Sequence, residues 1–201
     1  MRQPKDWRML GEQAIRLNLY LSQGLLLLIS FIVLLFIQTP IGTILENWFC
    51  TENWWRSLWM GSSVGLLVLI VDQVLMRYGR KEWFDDGGIN EMLFRHRPVL
   101  EIILICLLVA FSEEILFRGI IQASIGLWWS SLIFTVVHVR YLHHPIPLLF
   151  VFGVSLLLAL LYEVTGNLNA SILAHFLIDF VQALMLRFRW LPKSFYQKDE
   201  I

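Results

Sequence analysis

Charged side chains are scarce in this 201-residue sequence. They make up 16% of it, against about a quarter in an ordinary soluble domain, and acids and bases cancel to a net charge of zero. No basic excess is available to follow a phosphate backbone, which excludes nucleic acid as a partner. Cysteine is nearly absent too. Cys50 and Cys106 can build neither a disulfide framework nor a four-thiolate zinc site. Six prolines and 12 glycines are too few for a collagen-like or low-complexity chain. What fills the space is apolar: 57% of the residues are hydrophobic, with 14 Phe and 9 Trp, which excludes disorder. Such a chain cannot cover itself with polar surface in water. It reads as all-α, a polytopic helix bundle in the lipid bilayer.

About 20 apolar residues cross a hydrocarbon layer about 30 Å thick. Six runs are read as spans: Leu19 to Ile37, Ser57 to Met76, Val99 to about Ile125, Leu127 to Leu142, Ile146 to Val164 and Leu168 to Leu186. No small-residue cleavage site follows the first run, which is also too long for a signal-peptide core, so it is read as a retained span. A polar stretch, Arg77 to Pro98, separates the second and third spans and contains the turn signal Asp85-Asp86-Gly87-Gly88. It is expected along the membrane surface. Residues 1–98 thus form a two-span region with its connection, 99–186 a helical core, and 187–201 a basic tail.

Lys and Arg in the connections set the orientation. Arg2, Lys5, Arg8 and Arg16 precede the first span. Arg77, Arg80, Lys81, Arg95 and Arg97 follow the second, Arg140 belongs to the fourth connection, and Arg187, Arg189, Lys193 and Lys198 follow the sixth. The alternate connections hold only Arg56. Both termini are therefore expected in the cytoplasm, with the cell membrane as the location.

A charge at bilayer depth is costly unless it is paired or reaches water, so such residues usually face the bundle interior and serve a function. Three clusters stand out: Glu113-Glu114-x-x-x-Arg118, Phe134-x-x-x-His138 and His175-x-x-x-Asp179. Glu114 and Arg118 are spaced to pair on one helix face, as are His175 and Asp179. Glu113 points about 100° away from Glu114, so the two acids cannot serve one partner in the same way. Glu113 and His138 are placed symmetrically about the turn at Ile125 and Gly126. In an antiparallel hairpin each sits roughly 18 Å from that turn. The turn Thr165-Gly166-Asn167 lies on the same side and brings His175 to within about one helical turn of the same level. An acid and two imidazoles thus converge from three helices.

A carboxylate beside an imidazole, shielded from bulk water, can bind a water and take its proton. A second His with a hydrogen-bonding side chain one turn later can stabilise a developing oxyanion. Together these parts suit hydrolysis of an amide within the membrane. One Glu and two His, here Glu113, His138 and His175, are also an accepted catalytic zinc set, although the helical H-E-x-x-H pattern is absent. Ligand types leave a metal-free site and one with a single divalent ion such as zinc equally open.

The three clusters, in this order and in an apolar chain, resemble the successive motifs of the CPBP family. That family comprises type II CAAX prenyl proteases, bacteriocin-processing or self-immunity proteins and the Abi group. The resemblance covers about residues 99 to 186 and implies an intramembrane endopeptidase with a cavity opening to cytoplasm or bilayer. By motif position it implies that Glu113 activates the water and His138 helps hold it. His175 and Asp179 become the oxyanion-side pair, with Glu114, Arg118 and Phe134 in support. The last position is often Asn in the prenyl-protease branch; an ionised Asp179 cannot donate and is expected to orient His175 or to be protonated. The implied partner is a membrane-embedded or lipidated protein substrate. A non-catalytic membrane scaffold or immunity-type binding protein is the alternative.

Other polar residues read more blandly. His143 and His144 look like solvated loop residues, and Cys106 like an inert core thiol. Asp72 is an intramembrane acid with no motif around it; it is able to pair with Arg77 or to cap a helix end near the interface, and spacing assigns it neither role. Trp48, Trp54, Trp55, Trp59, Trp83, Trp128, Trp129 and Trp190 read as interfacial anchors.

Overall fold

The computed structural model describes residues 11–50, 52, 54–79, 88–138 and 145–191. The described residues form helices and connecting turns, in the order α1 (Gly11–Phe36), α2 (Ile41–Trp48), α3 (Trp54–Tyr78), α4 (Ile89–Phe94) and α5 (Val99–Glu114). A π-helical stretch, Ile115–Gln122, continues α5 into α6 (Ala123–Ile125), and α7 (Leu127–Val137), α8 (Pro145–Thr165) and α9 (Leu168–Arg187) follow. Four of these helices, α1, α3, α8 and α9, are long and apolar enough to cross a membrane.

Each boundary has a local cause. Pro98 caps α5 and Pro145 opens α8, positions where the missing N–H costs nothing. α8 ends at Gly166, in the left-handed region at φ 73°, and the Asn167 side chain then caps α9 by accepting from the Asn169 N–H at 3.1 Å. Gly126 turns the chain at φ 84° and ψ 168°, a backbone region that is essentially glycine's alone. The turn expected there is real: Phe117 and Phe134 meet edge to face across it at 4.9 Å, and Ser130 Oγ donates to the Phe117 carbonyl at 2.6 Å.

Two expectations change, and Asp72 gains a partner. The fourth run was expected helical to Leu142, but α7 stops at Val137 and His138 leaves the helix at φ −77° and ψ 57°. Its 11 residues reach about 16 Å, half the hydrocarbon thickness. Trp48 is not an interfacial anchor. At the end of α2 it is buried (5% exposed) among Leu34, Ile115, Ile120 and Leu168, because Gly119 leaves room for the indole. Asp72, also buried, accepts from Gln182 of α9 at 3.2 Å, not from Arg77 or a helix end. Trp54, Trp55, Trp59, Trp128, Trp129 and Trp190 are exposed, and Cys106 is buried, as expected. Trp83, His143, His144, Arg140, Arg80, Lys81, Asp85 to Gly87, the first ten residues and the tail from 192 lie outside the described residues.

α9 is the central helix, packed on α3, α5, α8 and α4. It runs parallel to α3, with Gly61 against Ala170 and Gly65 against Ala174. Small residues four apart let two backbones approach closely, which is how helices associate where lipid removes the hydrophobic drive. α1 is the reverse of a soluble amphipathic helix. Its inward positions include Gln23 and Ser30, while Leu21, Leu25, Leu28, Phe31 and Leu35 face outward.

A Cβ at Gly61 stands 2.6 Å from the Ala170 carbonyl oxygen, whereas one at Gly24 meets nothing within 4 Å. Gly61→Ala is expected to destabilise the protein by about 1–3 kcal/mol and Gly24→Ala to change stability by less than about 0.5 kcal/mol. Thermal unfolding in detergent measures both.

Candidate active site

Glu114 and Arg118 are fully buried, and Glu114 Oε1 lies 3.1 Å from Arg118 Nη1. The spacing that made them an i, i+4 pair in the sequence is realised across the start of the π-helical stretch. Beyond Glu114, Arg118 Nη2 donates to the Ser155 carbonyl and to Ser155 Oγ, both at 3.1 Å. Four residues on, Gln122 Nε2 donates to the Ala159 carbonyl at 2.9 Å. Two rungs of equal spacing therefore bolt the π-helical stretch to α8. π-turns of this kind concentrate at functional sites. The Arg118 guanidinium also lies over the Phe134 ring, 4.7 Å from its centroid, a favourable cation–π placement.

The same Glu114 Oε1 reaches His175 Nδ1 on α9 at 2.8 Å. An ionised carboxylate only accepts, so Nδ1 carries the proton of this bond. That fixes the imidazole plane and turns Nε2 toward two further acids: Glu113 Oε2 at 3.9 Å and Asp179 Oδ2 at 3.5 Å. The 100° offset between the two glutamates thus has a consequence. They address opposite nitrogens of one ring, Glu114 in a close hydrogen bond and Glu113 across a wider gap. Asp179 stands beside the nitrogen that Glu114 leaves open. It is the more exposed member, its side chain 31% accessible against 12% for Glu113.

His138 joins the cluster through Phe134. Its Nδ1 lies 2.7 Å from the Phe134 carbonyl, a bond in which the imidazole donates and Nε2 is left as the basic nitrogen. The two rings are 4.5 Å apart, and the Phe134 ring meets that of His175 edge to face at 6.3 Å. Phe134 is therefore the apolar partition touching Arg118, His175 and His138 together.

Three contributors are absent from the sequence reading. Gln23 of α1 donates from Nε2 to Glu113 Oε1 at 3.4 Å. Ser112 Oγ donates to Gln23 Oε1 at 2.5 Å. Ser155 holds Arg118. The available signal was a lone amide or hydroxyl inside an apolar run, which is the property that singled out Glu113 and His175; Ser112 also immediately precedes the two glutamates. Among the described residues no three His, Cys, Asp or Glu side chains stand together as a metal-holding set, so Glu113, His138 and His175 do not form a preorganised three-ligand cage.

Arg118→Met is expected to cost about 3–5 kcal/mol, because it strands the Glu114 carboxylate in an apolar interior. Glu114→Gln with Arg118→Met is expected to recover much of that loss. Arg16→Ala, which breaks the half-exposed pair of Arg16 with Glu101, is expected to cost no more than about 1 kcal/mol. Thermal unfolding of the four proteins in one detergent compares them.

A family model described as type II CAAX prenyl endopeptidase, Rce1-like, matches residues 95–181, the stretch that holds every one of these motif residues. Over 154 residues the chain is 42% identical to a Bacillus subtilis (strain 168) protein, the uncharacterized protein YpbD; the match covers 77% of this chain and 80% of that one. No solved structure matches the chain significantly. The family is one of proteases, and the apolar helices are those of a membrane protein. The chain is thus an integral membrane protein belonging to the Rce1-like family of type II CAAX prenyl endopeptidases.

Proposed function

We propose that this protein is an intramembrane endopeptidase in which Glu113 activates a water for attack on a peptide bond of a membrane-anchored or lipidated protein. The observation that carries the reading is the 3.9 Å gap between Glu113 Oε2 and His175 Nε2, too wide for a direct hydrogen bond and suited to a molecule between them. Both walls of the gap are held from behind: Glu113 by Gln23, and His175 by Glu114 with Arg118.

In this mechanism Glu113 takes one proton from the water as its oxygen bonds to the scissile carbonyl carbon. His138, through Nε2, helps hold the water. The carbonyl oxygen becomes an oxyanion, and His175 stabilises it when Nε2 carries a proton. Asp179 as a carboxylate accepts only, so its part is to orient and balance the charge of His175. Glu113 then returns its proton to the leaving nitrogen as the C–N bond breaks, giving a carboxylic acid and an amine, and the acid's remaining proton passes to the amine to leave a carboxylate and an ammonium. Glu114, Arg118 and Phe134 keep the imidazoles in place and exclude water. No step is assigned to a metal. The topology that goes with this reading has six spans, with α7 as the shortest, both termini in the cytoplasm, and the cell membrane as the location.

The test compares new protein termini in membranes from a deletion strain carrying either the wild type or Glu113→Ala at matched levels. Termini present only with the wild type are expected, with Glu113→Gln equally inactive and cleavage by detergent-purified protein retained in EDTA. If stable, folded wild type generates none, the chain acts by binding, as a scaffold or immunity-type protein. Loss of cleavage in EDTA that zinc restores overturns the metal-free mechanism while leaving the protease.

A further inference from the structure

We propose that Gln23, on the first helix and outside the stretch matched by the family model, is a positioning residue for Glu113; this rests on the reading of Glu113 as the base. Gln23 is 6% exposed, on a helix that turns Leu21, Leu25, Leu28 and Leu35 outward. A primary amide facing inward from such a helix needs partners, and it has two. Nε2 lies 3.4 Å from Glu113 Oε1, and Oε1 lies 2.5 Å from Ser112 Oγ.

The orientation of the amide follows from the chemistry of its neighbours. Glu113 as a carboxylate offers only acceptors, so the –NH₂ must face it and the carbonyl oxygen must face Ser112. The Ser112 hydroxyl also lies 2.7 Å from the Leu108 carbonyl but has one proton to give. With the amide so oriented, the proton goes to Gln23. Hydroxyl, amide and carboxylate then form a directed chain ending on Glu113 Oε1, which leaves Oε2 as the oxygen turned toward His175. Without Gln23 either oxygen can rotate into that place and the carboxylate loses its fixed geometry. Small displacements of a reacting group are costly, up to about 100-fold in rate per ångström.

α1 has a second attachment that separates positioning from docking. Arg16 pairs with Glu101 at 3.5 Å, away from the cluster. The test uses detergent-purified wild type, Gln23→Leu, Ser112→Ala and Arg16→Ala, with a fluorogenic peptide spanning the junction found in the comparison of termini. Gln23→Leu is expected to lower kcat by about 10- to 100-fold with KM changed less than twofold. Ser112→Ala is expected to lower kcat several-fold and Arg16→Ala to leave it unchanged. Equal losses in Gln23→Leu and Arg16→Ala, or a rise in KM alone, overturn the proposal, since α1 is then only a docked wall. Should Gln23→Leu fail to fold, Ser112→Ala decides: an unchanged kcat overturns the proposal and a selective fall in kcat supports it. A double-mutant cycle of Gln23→Leu with Glu113→Gln, read as thermal stability, is expected to show coupling and needs no substrate. If wild type cleaves nothing, the proposed function falls and the positioning role with it, while the cycle still reports whether the contact forms. If wild type cleaves and the cycle shows no coupling, the role of Gln23 alone falls.

Discussion

Everything in the cluster is arranged around a carboxylate and a guanidinium buried away from the surface. Glu114 and Arg118 are completely enclosed, and taking two such charges out of water is costly enough that their mutual attraction alone seldom repays it. The remaining hydrogen bonds decide the balance. Arg118 spends Nη2 on the buried carbonyl and hydroxyl of Ser155, and Glu114 spends Oε1 on His175 as well as on the guanidinium. The pair therefore ties the π-helical stretch to α8 and α9, and any rearrangement of those helices would strand a charge. In a bilayer, where apolar packing between helices has little to gain over lipid, such a constraint gives one arrangement its advantage over its neighbours.

The contacts that hold Glu114 give Glu113 its direction. Two adjacent acids on one helix diverge by about 100°, so locking one against Arg118 aims the other at a different space. His175 reads both, with one ring nitrogen in a tight bond and the other across a gap. One acid is structural and fully enclosed, and its neighbour is partly open on the side where Asp179 also reaches the surface. In the proposed mechanism the chemistry takes place on that open side.

The small-residue seam between α3 and α9 places this apparatus. Gly61 and Gly65 bring α3 close enough to Ala170 and Ala174 that α9 has little freedom to slide, and His175 follows directly in that register. The first half of the chain is thus not peripheral packing. α3 fixes the depth of His175, α2 inserts Trp48 against Gly119 of the π-helical stretch, and α1 sends Gln23 to Glu113.

Several of these features were determined by sequence alone, because they depend on short-range spacing or on the cost of charge in lipid. Membrane class follows from the scarcity of charge. The pairings of Glu114 with Arg118 and of His175 with Asp179 follow from the four-residue repeat of a helix, and the hairpin at Gly126 from a residue that alone tolerates its backbone. Tertiary structure decided what depends on which helix lies beside which. Spacing could not reveal that Glu114, not Glu113, holds His175 closely, or that His138 caps a short helix. Nor could it show that Trp48 is buried, that Asp72 answers to Gln182 from 110 residues away, or that Gln23 crosses 90 residues of sequence to reach Glu113. Local rules fix the direction in which a side chain leaves its helix; only the packing of the bundle fixes what it meets.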